Sequence, residues 1–570
     1  MTKMNNQENT GITTLPGLLT SGANLHTNNT ALAYANGFSY SYREADRLTT
    51  QVARQFYGAG VVKGDRIAII SENNPHWGIA YFAIQRAGGV AVPILTDFRE
   101  KEMQSILEHA GVRAVVISAK QREKFTNGFP PSVQYLMSVE DFTLVSAEDP
   151  RGRHALHAKK QPGKITPEEG DPVAFPEVSG DDLAAIIYTS GTTGRSKGVM
   201  LTHRNILHNA HQSGHIHQIL DTDVFLSVLP LAHTYECTIG LMVPLLNGAA
   251  VHYVDRAPTA SVLAPLLQKL QPTTMLTVPL IIEKIYRSRI RPQLQKSPVT
   301  RLMTRFGPTR KLVHRAAGKK LMAFFGGKIR FYGIGGAPLA PEVEKFLIEA
   351  RFPYAIGYGL TETAPLLAGF GPQNQTFKSV GDPLPGLELK INDPDPETGE
   401  GEIIARGPNV MKGYYQNQEQ TEEVFTSDGY FRTGDLGYIN KKGILYIRGR
   451  LKNMILGPNG ENIYPEEIEA LINETDFINE SLVMQYKGKL VARVHLNVEL
   501  LEQKFHDLKS NAQDFHHQLQ QKAEGLTDEL MNHINQHVST NSRLQMIIIQ
   551  ADPFEKTPTQ KIKRFLYQQR

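Results

Sequence analysis

One stretch of the sequence has the composition of a loop that binds polyphosphate. Residues 188–203 read YTSGTTGRSKGVMLTH, after an apolar run that predicts a buried strand ending at Tyr188, and a helix is predicted from about His203. Small residues expose backbone N–H groups, hydroxyls add donors, and Lys197 adds a mobile positive charge. The Walker pattern needs a glycine directly before the lysine, where this chain has Ser196, and no GxGxxG follows the strand. We therefore predict a phosphate-binding loop of another type, with a plain surface loop as the alternative.

With this loop the sequence resembles the acyl-adenylate-forming (AMP-binding) superfamily, which contains acyl-CoA ligases, luciferases and the adenylation domains of peptide synthetases. The resemblance extends over essentially the whole chain, from about residue 35 to residue 567. Three further stretches match its motifs in order: GYGLTETAP at 357–365, YFRTGDLG at 430–437 with YIRGRLKNMILGPNGENIYPEEIE at 446–469, and KTPTQKIKR at 556–564. Four spaced motifs are more specific than any one of them. The stretches LPLAHTYE (229–236), TVPLIIEKIY (277–286) and KTPTQKIKRF (556–565) are similar to those of long-chain fatty acid–CoA ligases.

The resemblance implies ATP-binding roles for residues of each motif. Lys197 and the hydroxyls of 189–193 would bind the β- and γ-phosphates, Thr361 would hydrogen-bond a phosphate oxygen, and Glu362 would hold Mg²⁺. Lys561 would bridge the α-phosphate and the reacting carboxylate. These four residues form the implied catalytic set. The other residues implied in nucleotide binding are Thr189, Ser190, Gly191, Thr192, Thr193, Gly194, Gly335, Gly336, Ala337, Tyr358, Gly359, Asp435 and Arg450.

Within this set, the resemblance also implies how adenosine would be held. Tyr358 would stack on the adenine, with the turn at 335–337 on the other side of the base. Asp435, assisted by Arg450, would accept hydrogen bonds from the ribose hydroxyls.

The substrate pocket and a hinge are implied in the same way. His233 would line the acyl entrance, and we assign Tyr235, Val278 and Gly333 to the same pocket. Lys452 matches the pivot about which the small C-terminal domain of these enzymes swings after adenylation. The chain departs from the usual pattern at Ser196 in place of proline and at Gln560 in place of glycine. Both departures put local geometry in doubt more than activity.

The chemistry of these residues suits a two-step ligase that uses ATP, Mg²⁺ and coenzyme A. A carboxylate is already a nucleophile at neutral pH, so adenylation needs no general base. It needs cations and donors where charge builds on the α-phosphate. A single carboxylate such as Glu362 is a reasonable Mg²⁺ anchor, since this ion keeps several waters and substrate oxygens. Coenzyme A brings its own thiol, and we expect the single cysteine, Cys237, to be a small buried residue.

Each residue taken alone also has an ordinary structural explanation, such as a turn cap for Asp435, a core ring for Tyr358 or a buried histidine for His233. Two other functions remain open. One is a ligase of the same family for an aryl or other carboxylic acid, or for a carrier-protein acceptor. The other is a non-catalytic nucleotide- or acyl-binding module, against which the intact motif set argues. Pyrophosphate exchange into ATP with a panel of acids would separate these functions.

The elements that must position these residues follow a strand–helix rhythm. Residues 66–118 predict strands at 66–70, 91–94 and 113–118, with helices at 75–86 and 99–110 between them, which is typical of a parallel sheet covered by helices. Short strands between about 380 and 447 predict a small β-barrel or meander, and the strand–helix pattern returns past Arg450. We predict a mixed α/β fold with a large N-terminal adenylation domain (1–449), a small mobile C-terminal domain (450–570) and the active site between them.

Composition favours a folded protein of two or more domains. The chain has 570 residues, of which 41% are hydrophobic and 21% are charged, and its net charge of +4 is too small to indicate a nucleic-acid partner. A single cysteine excludes a disulfide within the chain and fits a reducing compartment. The first residues lack the apolar segment of a signal peptide. We expect a cytoplasmic protein, with peripheral contact at the inner membrane face as an open alternative.

One segment carries a strong charge excess. Residues 284–328 contain thirteen Lys or Arg and no Asp or Glu, interleaved with apolar residues such as Leu302, Phe306 and Leu312. Solvated surface helices explain this pattern, and so does a face for anionic lipid or for the phosphates of coenzyme A. The sequence leaves these alternatives open, together with acyl chain length and oligomeric state.

Overall fold

The computed structural model describes residues 11–148, 162–190, 196–256, 258–457, 462–497, 501, 512–557 and 561–567. The strands are β1 (Thr30–Tyr34), β2 (Ser39–Ser41), β3 (Arg66–Ile70), β4 (Val90–Pro93), β5 (Ala114–Ile117), β6 (Tyr135–Ser138), β7 (Leu144–Ser146), β8 (Leu183–Ser190), β9 (Ser196–Thr202), β10 (Val224–Ser227), β11 (Ala250–Tyr253), β12 (Thr274–Thr277), β13 (Phe331–Ile334), β14 (Tyr354–Gly359), β15 (Leu366–Phe370), β16 (Asp382–Pro383), β17 (Glu388–Asn392), β18 (Gly401–Arg406), β19 (Gly413–Tyr414), β20 (Phe431–Ile439), β21 (Leu445–Arg450), β22 (Ile455–Leu456), β23 (Asn462–Ile463), β24 (Ile478–Tyr486), β25 (Lys489–Leu496) and β26 (Met546–Gln550).

The α-helices are α1 (Leu15–Leu25), α2 (Tyr42–Gly58), α3 (Pro75–Arg86), α4 (Glu100–Ala110), α5 (Ala119–Arg122), α6 (His203–Ser213), α7 (Val243–Leu246), α8 (Ala260–Leu270), α9 (Pro279–Ile285), α10 (Arg291–Gln295), α11 (Pro298–Met303), α12 (Gly307–Phe324), α13 (Pro341–Ala350), α14 (Gln418–Glu423), α15 (Pro465–Asn473) and α16 (Ala512–His537). Two π-helices, Tyr235–Met242 and Tyr286–Ile290, and short 3₁₀ turns complete the described elements. Within the described part of the chain, every helix is too short or too polar to cross a bilayer.

An eight-stranded sheet has the order β19-β9-β8-β4-β3-β5-β6-β7. Strand β3 pairs in parallel with β4 and β5, and the predicted strand–helix alternation of 66–118 is confirmed to within one residue at every boundary. Helix α3 begins with Asn74 as its N-cap, and it is buried on nearly all sides because it lies inside the layered core. The mixed α/β class is therefore confirmed.

A second sheet of nine strands has the order β16-β15-β14-β13-β12-β10-β11-β1-β2. Its central strands β11, β10, β12, β13 and β14 are parallel, while β15 returns antiparallel to β14. In sheets of this kind, ligands bind beyond the carboxyl ends of the parallel strands. The loops after β10, β12, β13 and β14 therefore outline a common cleft.

A separate antiparallel sheet, β17-β18-β20-β21, occupies the region where we predict a barrel or meander. In the described residues its pairings form an open row rather than a closed ring, so the meander is the accurate description. Its β17–β18 hairpin holds Glu400, whose carboxylate receives Arg448 Nε at 2.6 Å and the Tyr464 hydroxyl at 2.7 Å. These contacts join the antiparallel sheet to the segment that follows it.

The C-terminal region forms its own small core. Strands β24, β25 and β26 make a three-stranded sheet, and α15 packs on β24. Ile468, Ile472 and Ile534 are buried between the helices and this sheet. The domain boundary that we predict between residues 449 and 450 falls within the last two residues of β21 and stays a prediction.

Candidate active site

The described parts of the glycine-rich segment, on either side of residues 191–195, are two antiparallel strands that we call the hairpin. Strand β8 continues to Ser190 and pairs antiparallel with β9, so that Thr189 lies opposite Lys197. The predicted strand end at Tyr188 was wrong by two residues, because β8 runs to Ser190. Residues 196–202, for which we predicted no element, form a strand whose Val199 and Leu201 alternate into the core. Helix α6 begins at His203, as predicted.

The tip of this hairpin lies outside the described residues. It contains four residues with implied phosphate-binding roles: Gly191, Thr192, Thr193 and Gly194. The side chain of Ser190 and the position of Gln560 are also outside the description. Thr189 and Lys197 are described and half-buried, one at the end of β8 and the other at the start of β9.

Asp435 lies at the centre of a buried polar group. The Tyr358 hydroxyl donates to its Oδ2 at 2.8 Å, and Arg450 Nε lies 2.6 Å from its Oδ1. Asp435 and Arg450 are register partners on β20 and β21, which explains their pairing. Burial raises the pKa of Asp435, and the Arg450 charge opposes this rise. The contact to Tyr358 was not predicted from the sequence, although it orients the ring assigned to adenine.

Glu362 is held by a tyrosine that sequence reasoning missed. The Tyr414 hydroxyl donates to Glu362 Oε1 at 3.0 Å, and Lys197 Nζ lies 4.8 Å from the centre of the same ring. Burial is the main cause that raises the pKa of Tyr414, and the neighbouring Glu362 charge adds to it. Thr361 is buried next to Glu362 in a 3₁₀ turn directly after β14. The only sequence signal was the GYY triplet at 413–415.

Tyr235 packs closely on two glycines, Gly333 in β13 and Gly335 just after it. A Cβ on Gly335 would lie 3.2 Å from the Tyr235 ring, and one on Gly333 would lie 3.0 Å from the Tyr235 hydroxyl. Gly336 follows with φ +85°, Ala337 is exposed after it, and Gly359 closes β14. The absence of side chains at Gly333 and Gly335 therefore leaves room for the Tyr235 ring.

His233 precedes the π-helix and faces the cleft. Its Nδ1 accepts a hydrogen bond from the Tyr235 backbone N–H at 3.2 Å, so the proton of the neutral ring is on Nε2. Burial lowers the pKa of His233 to about 4, and the charge of Lys561 contributes to this shift. The side chain of Val278 lies across the turn, 3.9 Å from a Cβ built on Gly336. Three of the four predicted pocket residues, His233, Tyr235 and Val278, therefore lie around one turn.

The structure brings Lys561 to this cleft from near the end of the chain. Its pKa is lowered, first by burial and then by Arg450, while Asp435 and Glu362 oppose the shift. The Lys561 side chain is exposed, which fits a position at the mouth of the cleft. The surrounding protein is nevertheless the largest cause of its lowered pKa. The side chain is thus close to the carboxylates of two separate motifs.

Lys452 lies in a 3₁₀ turn, Leu451–Asn453, directly after β21. Burial lowers its pKa to about 8, and the charges of Arg450 and Lys561 add to the effect. The implied pivot is therefore in electrostatic contact with the cleft and lies between the antiparallel sheet and the C-terminal core.

The described residues fit a Mg²⁺ ion that is shared with a substrate. They contain no cluster of three or more His, Cys, Asp or Glu that could enclose a metal. Glu362 offers one carboxylate, of which Oε1 is held by Tyr414, and in the described part of the chain Oε2 has no recorded protein donor. A single carboxylate oxygen suits Mg²⁺, which takes its remaining ligands from water and phosphate.

Comparison with known proteins gives matches over most of the chain. The model of the AMP-binding enzyme family matches residues 19–415. A long-chain-fatty-acid–CoA ligase of Mycobacterium bovis is 30% identical over 470 residues, which are 77% of this chain and 74% of that protein. The peroxisomal long chain acyl-CoA synthetase 6 of Arabidopsis thaliana is 29% identical over 495 residues, which are 81% of this chain and 69% of that protein.

Solved structures share the fold at lower identity. The o-succinylbenzoate CoA synthetase of Bacillus subtilis, in complex with its acyl-adenylate intermediate, aligns with TM-score 0.71 and 24% identity over 97% of this chain and 98% of its own. ATP-bound MatB from Rhodopseudomonas palustris aligns with TM-score 0.71 and 23% identity over the same shares of the two chains. The Bacillus protein has also been solved with ATP and a magnesium ion.

Proposed function

Because the chain belongs to the AMP-binding enzyme family, we propose that it is a long-chain fatty acid–CoA ligase that works through an acyl-adenylate. The acid would react with ATP to give acyl-AMP and pyrophosphate, and coenzyme A would then displace AMP to give the thioester. The observation that carries this proposal is that side chains of separate motifs contact one another: Tyr358 and Arg450 hold Asp435, while Tyr414 lies between Glu362 and Lys197. The charge of Lys561 acts on the same region, since Asp435 and Glu362 both influence its pKa.

In the first half-reaction, a carboxylate oxygen of the acid attacks the α-phosphorus of ATP and the bond to pyrophosphate breaks. Lys561 would bind both the carboxylate and the α-phosphate. Lys197 would bind the departing phosphates from the hairpin, while Asp435 and Tyr358 hold the ribose and adenine. When bound at Glu362, Mg²⁺ supplies positive charge to the phosphate oxygens. The work of these residues is electrostatic and requires no general base.

His233 suits the acyl entrance because it is neutral. A lowered pKa of about 4 leaves the ring uncharged at neutral pH, so it does not pair with the carboxylate and hold it away from Lys561. Its Nε2–H remains available to donate to a substrate oxygen.

A small apolar cavity of about 20 Å³ lies beside β13. It is lined by Phe225, Ile239, Val243 and Phe331, with polar groups at its edge. Phe331 lies two residues before Gly333 and touches the position of its Cβ at 3.0 Å, so both face the same side of β13. Ile239 follows Tyr235 along the π-helix. The cavity has room for about one water molecule, so a long alkyl tail would bind there only if these side chains moved apart. The long-chain part of the proposal is therefore supported by the relatives and not by the cavity.

A different acid in the same family is the second candidate, since the o-succinylbenzoate CoA synthetase shares this fold. The test is pyrophosphate exchange into ATP with short, medium and long fatty acids, aryl acids and o-succinylbenzoate, followed by thioester formation with coenzyme A or a carrier protein. Exchange that rises with fatty chain length, with coenzyme A as acceptor, supports the proposal. Exchange with only the aryl acids, or none with any acid, would overturn it.

A further inference from the structure

The segment between β12 and β13 presents a basic surface. Of the thirteen Lys and Arg in residues 284–328, ten are exposed: Lys284, Arg289, Lys296, Arg301, Arg305, Lys311, Arg315, Lys319, Lys320 and Lys328. Two of the half-buried ones form ion pairs within the protein: Arg310 with Glu349 at 2.8 Å, and Arg291 with Asp476. Among the described residues, none of the ten exposed ones has a carboxylate within ion-pairing distance. Their charge therefore faces outward without compensation.

Large apolar side chains project from the same surface. Val299, Leu302, Phe306 and Leu312 are 65%, 56%, 61% and 63% exposed. Helix α11, which carries Val299 and Leu302, has no buried residue among its six. Single exposed apolar residues are ordinary, but four within fourteen positions of one segment indicate a surface that contacts something else.

The geometry of α12 places apolar and basic groups on one outward face. His314, Ala317, Gly318 and Leu321 are its buried residues, and Gly318 packs so closely on α13 that a Cβ would lie 2.8 Å from Ala350. The same helical spacing, shifted by two residues, aligns Leu312, Arg315, Ala316 and Lys319 on the opposite face, where all four are exposed. The exposed leucine is therefore flanked by cations along the helix.

We propose that α11 and α12 dock on an anionic lipid bilayer, with Leu302, Phe306 and Leu312 entering the headgroup region. Long Lys and Arg side chains can reach lipid phosphates while their stems lie along the apolar residues. A uniformly basic surface is complementary to the anionic leaflet. A second copy of this chain would oppose like charges across the interface, so self-association through this face is disfavoured. This inference is independent of the substrate of the active site.

The test is co-sedimentation of the full-length protein with phosphatidylcholine vesicles that contain or lack phosphatidylglycerol, at low and high salt. We expect binding that requires the anionic lipid and falls at high salt. The pair Arg301→Gln/Arg305→Gln should lower the partition coefficient about 30-fold, which corresponds to about 1 kcal/mol for each charge. The pair Leu302→Ser/Phe306→Ser should lower it at least about tenfold.

Matched control pairs change exposed residues elsewhere. Lys441→Gln/Lys442→Gln removes the same charge, and Leu25→Ser/Val62→Ser removes comparable exposed apolar surface. Pyrophosphate exchange with a water-soluble acid should be unchanged in all four pairs, which shows that they fold. The proposal is overturned if neutral vesicles bind equally well, if the control pairs weaken binding as much as the surface pairs, or if the protein without lipid is a dimer that Leu302→Ser/Phe306→Ser dissociates.

Discussion

Substitution of Lys561 by alanine should separate the two half-reactions. The residue belongs to the C-terminal segment, and in this structure its charge meets Glu362 and Asp435 in the cleft. If this arrangement is the one that makes the adenylate, removal of the ammonium group damages adenylation. Thioester formation from supplied acyl-adenylate should remain, because the bond to pyrophosphate has already been broken in that substrate.

The size of the loss follows from the surroundings of Lys561. Lys561 is exposed in this structure although the surrounding protein lowers its pKa, so a substrate bound beside it would remove remaining water and reduce the screening of its charge. A preorganised donor in such a site contributes about 3 kcal/mol to the transition state, or about 100-fold in rate. Arg450 and Lys197 remain in the variant, and we expect neither to replace Lys561, because their proposed partners are the ribose-binding Asp435 and the departing phosphates.

The assay pairs pyrophosphate exchange with thioester formation from synthetic acyl-adenylate. Lys563→Ala is the matched control, because Lys563 is a nearby lysine of the same segment whose recorded carboxylate neighbour is Glu555, 3.8 Å away. The control should retain both activities. An equal loss of both activities in Lys561→Ala, or no loss in either, would refute the reasoning.

Three further changes test other parts of the site. Lys452→Pro should still make acyl-adenylate and accumulate it, because a fixed φ blocks the swing of the C-terminal segment. The control Lys452→Ala should complete the reaction to acyl-CoA. Acyl-CoA formed at the same rate in both variants would exclude the pivot. Glu362→Gln should lose most pyrophosphate exchange. Tyr414→Phe removes one hydrogen bond to the Glu362 carboxylate, which is worth about 1.5–3 kcal/mol, and should therefore raise the Mg²⁺ concentration needed for half-maximal exchange. Exchange in Glu362→Gln that matches the wild type at every Mg²⁺ concentration would refute the metal role. Gly333→Ala puts a methyl group 2.8 Å from Leu276 Cδ2 and 3.0 Å from the Tyr235 hydroxyl, so both side chains must shift, and KM should rise more for long acids than for short ones. A uniform change across chain lengths would place the acyl chain elsewhere.

Local patterns in the sequence were sufficient for the elements of the first sheet. Strand β3 and helix α3 have the predicted bounds. A short apolar run and a capped apolar helix can be recognised from local sequence, without knowledge of distant residues. The burial predicted for Cys237 is confirmed, and burial raises its pKa to about 12.

Strand β9 was not predicted because its formation depends on the strands with which it pairs. Residues 196–202 contain too few apolar positions to predict a strand alone. They become one between β8 and β19, and β19 lies more than two hundred residues later, where Gly413 pairs with Met200. Tyr414 was missed for the same reason, since only that pairing brings its hydroxyl to Glu362.

The sequence by itself determined the family, the mixed α/β class and the order of the motifs, because motif spacing and hydrophobic periodicity are properties of the chain. The tertiary structure decided which motifs meet, and Lys561 reaches Glu362 and Asp435 only through the packing of the C-terminal segment. The tertiary structure also decided which apolar residues are exposed to solvent. Leu312 and Leu321 belong to the same helix, yet one is exposed and the other is buried. Only the position of α13 determines which face of that helix is covered, because burial depends on neighbours in space and not on neighbours in sequence.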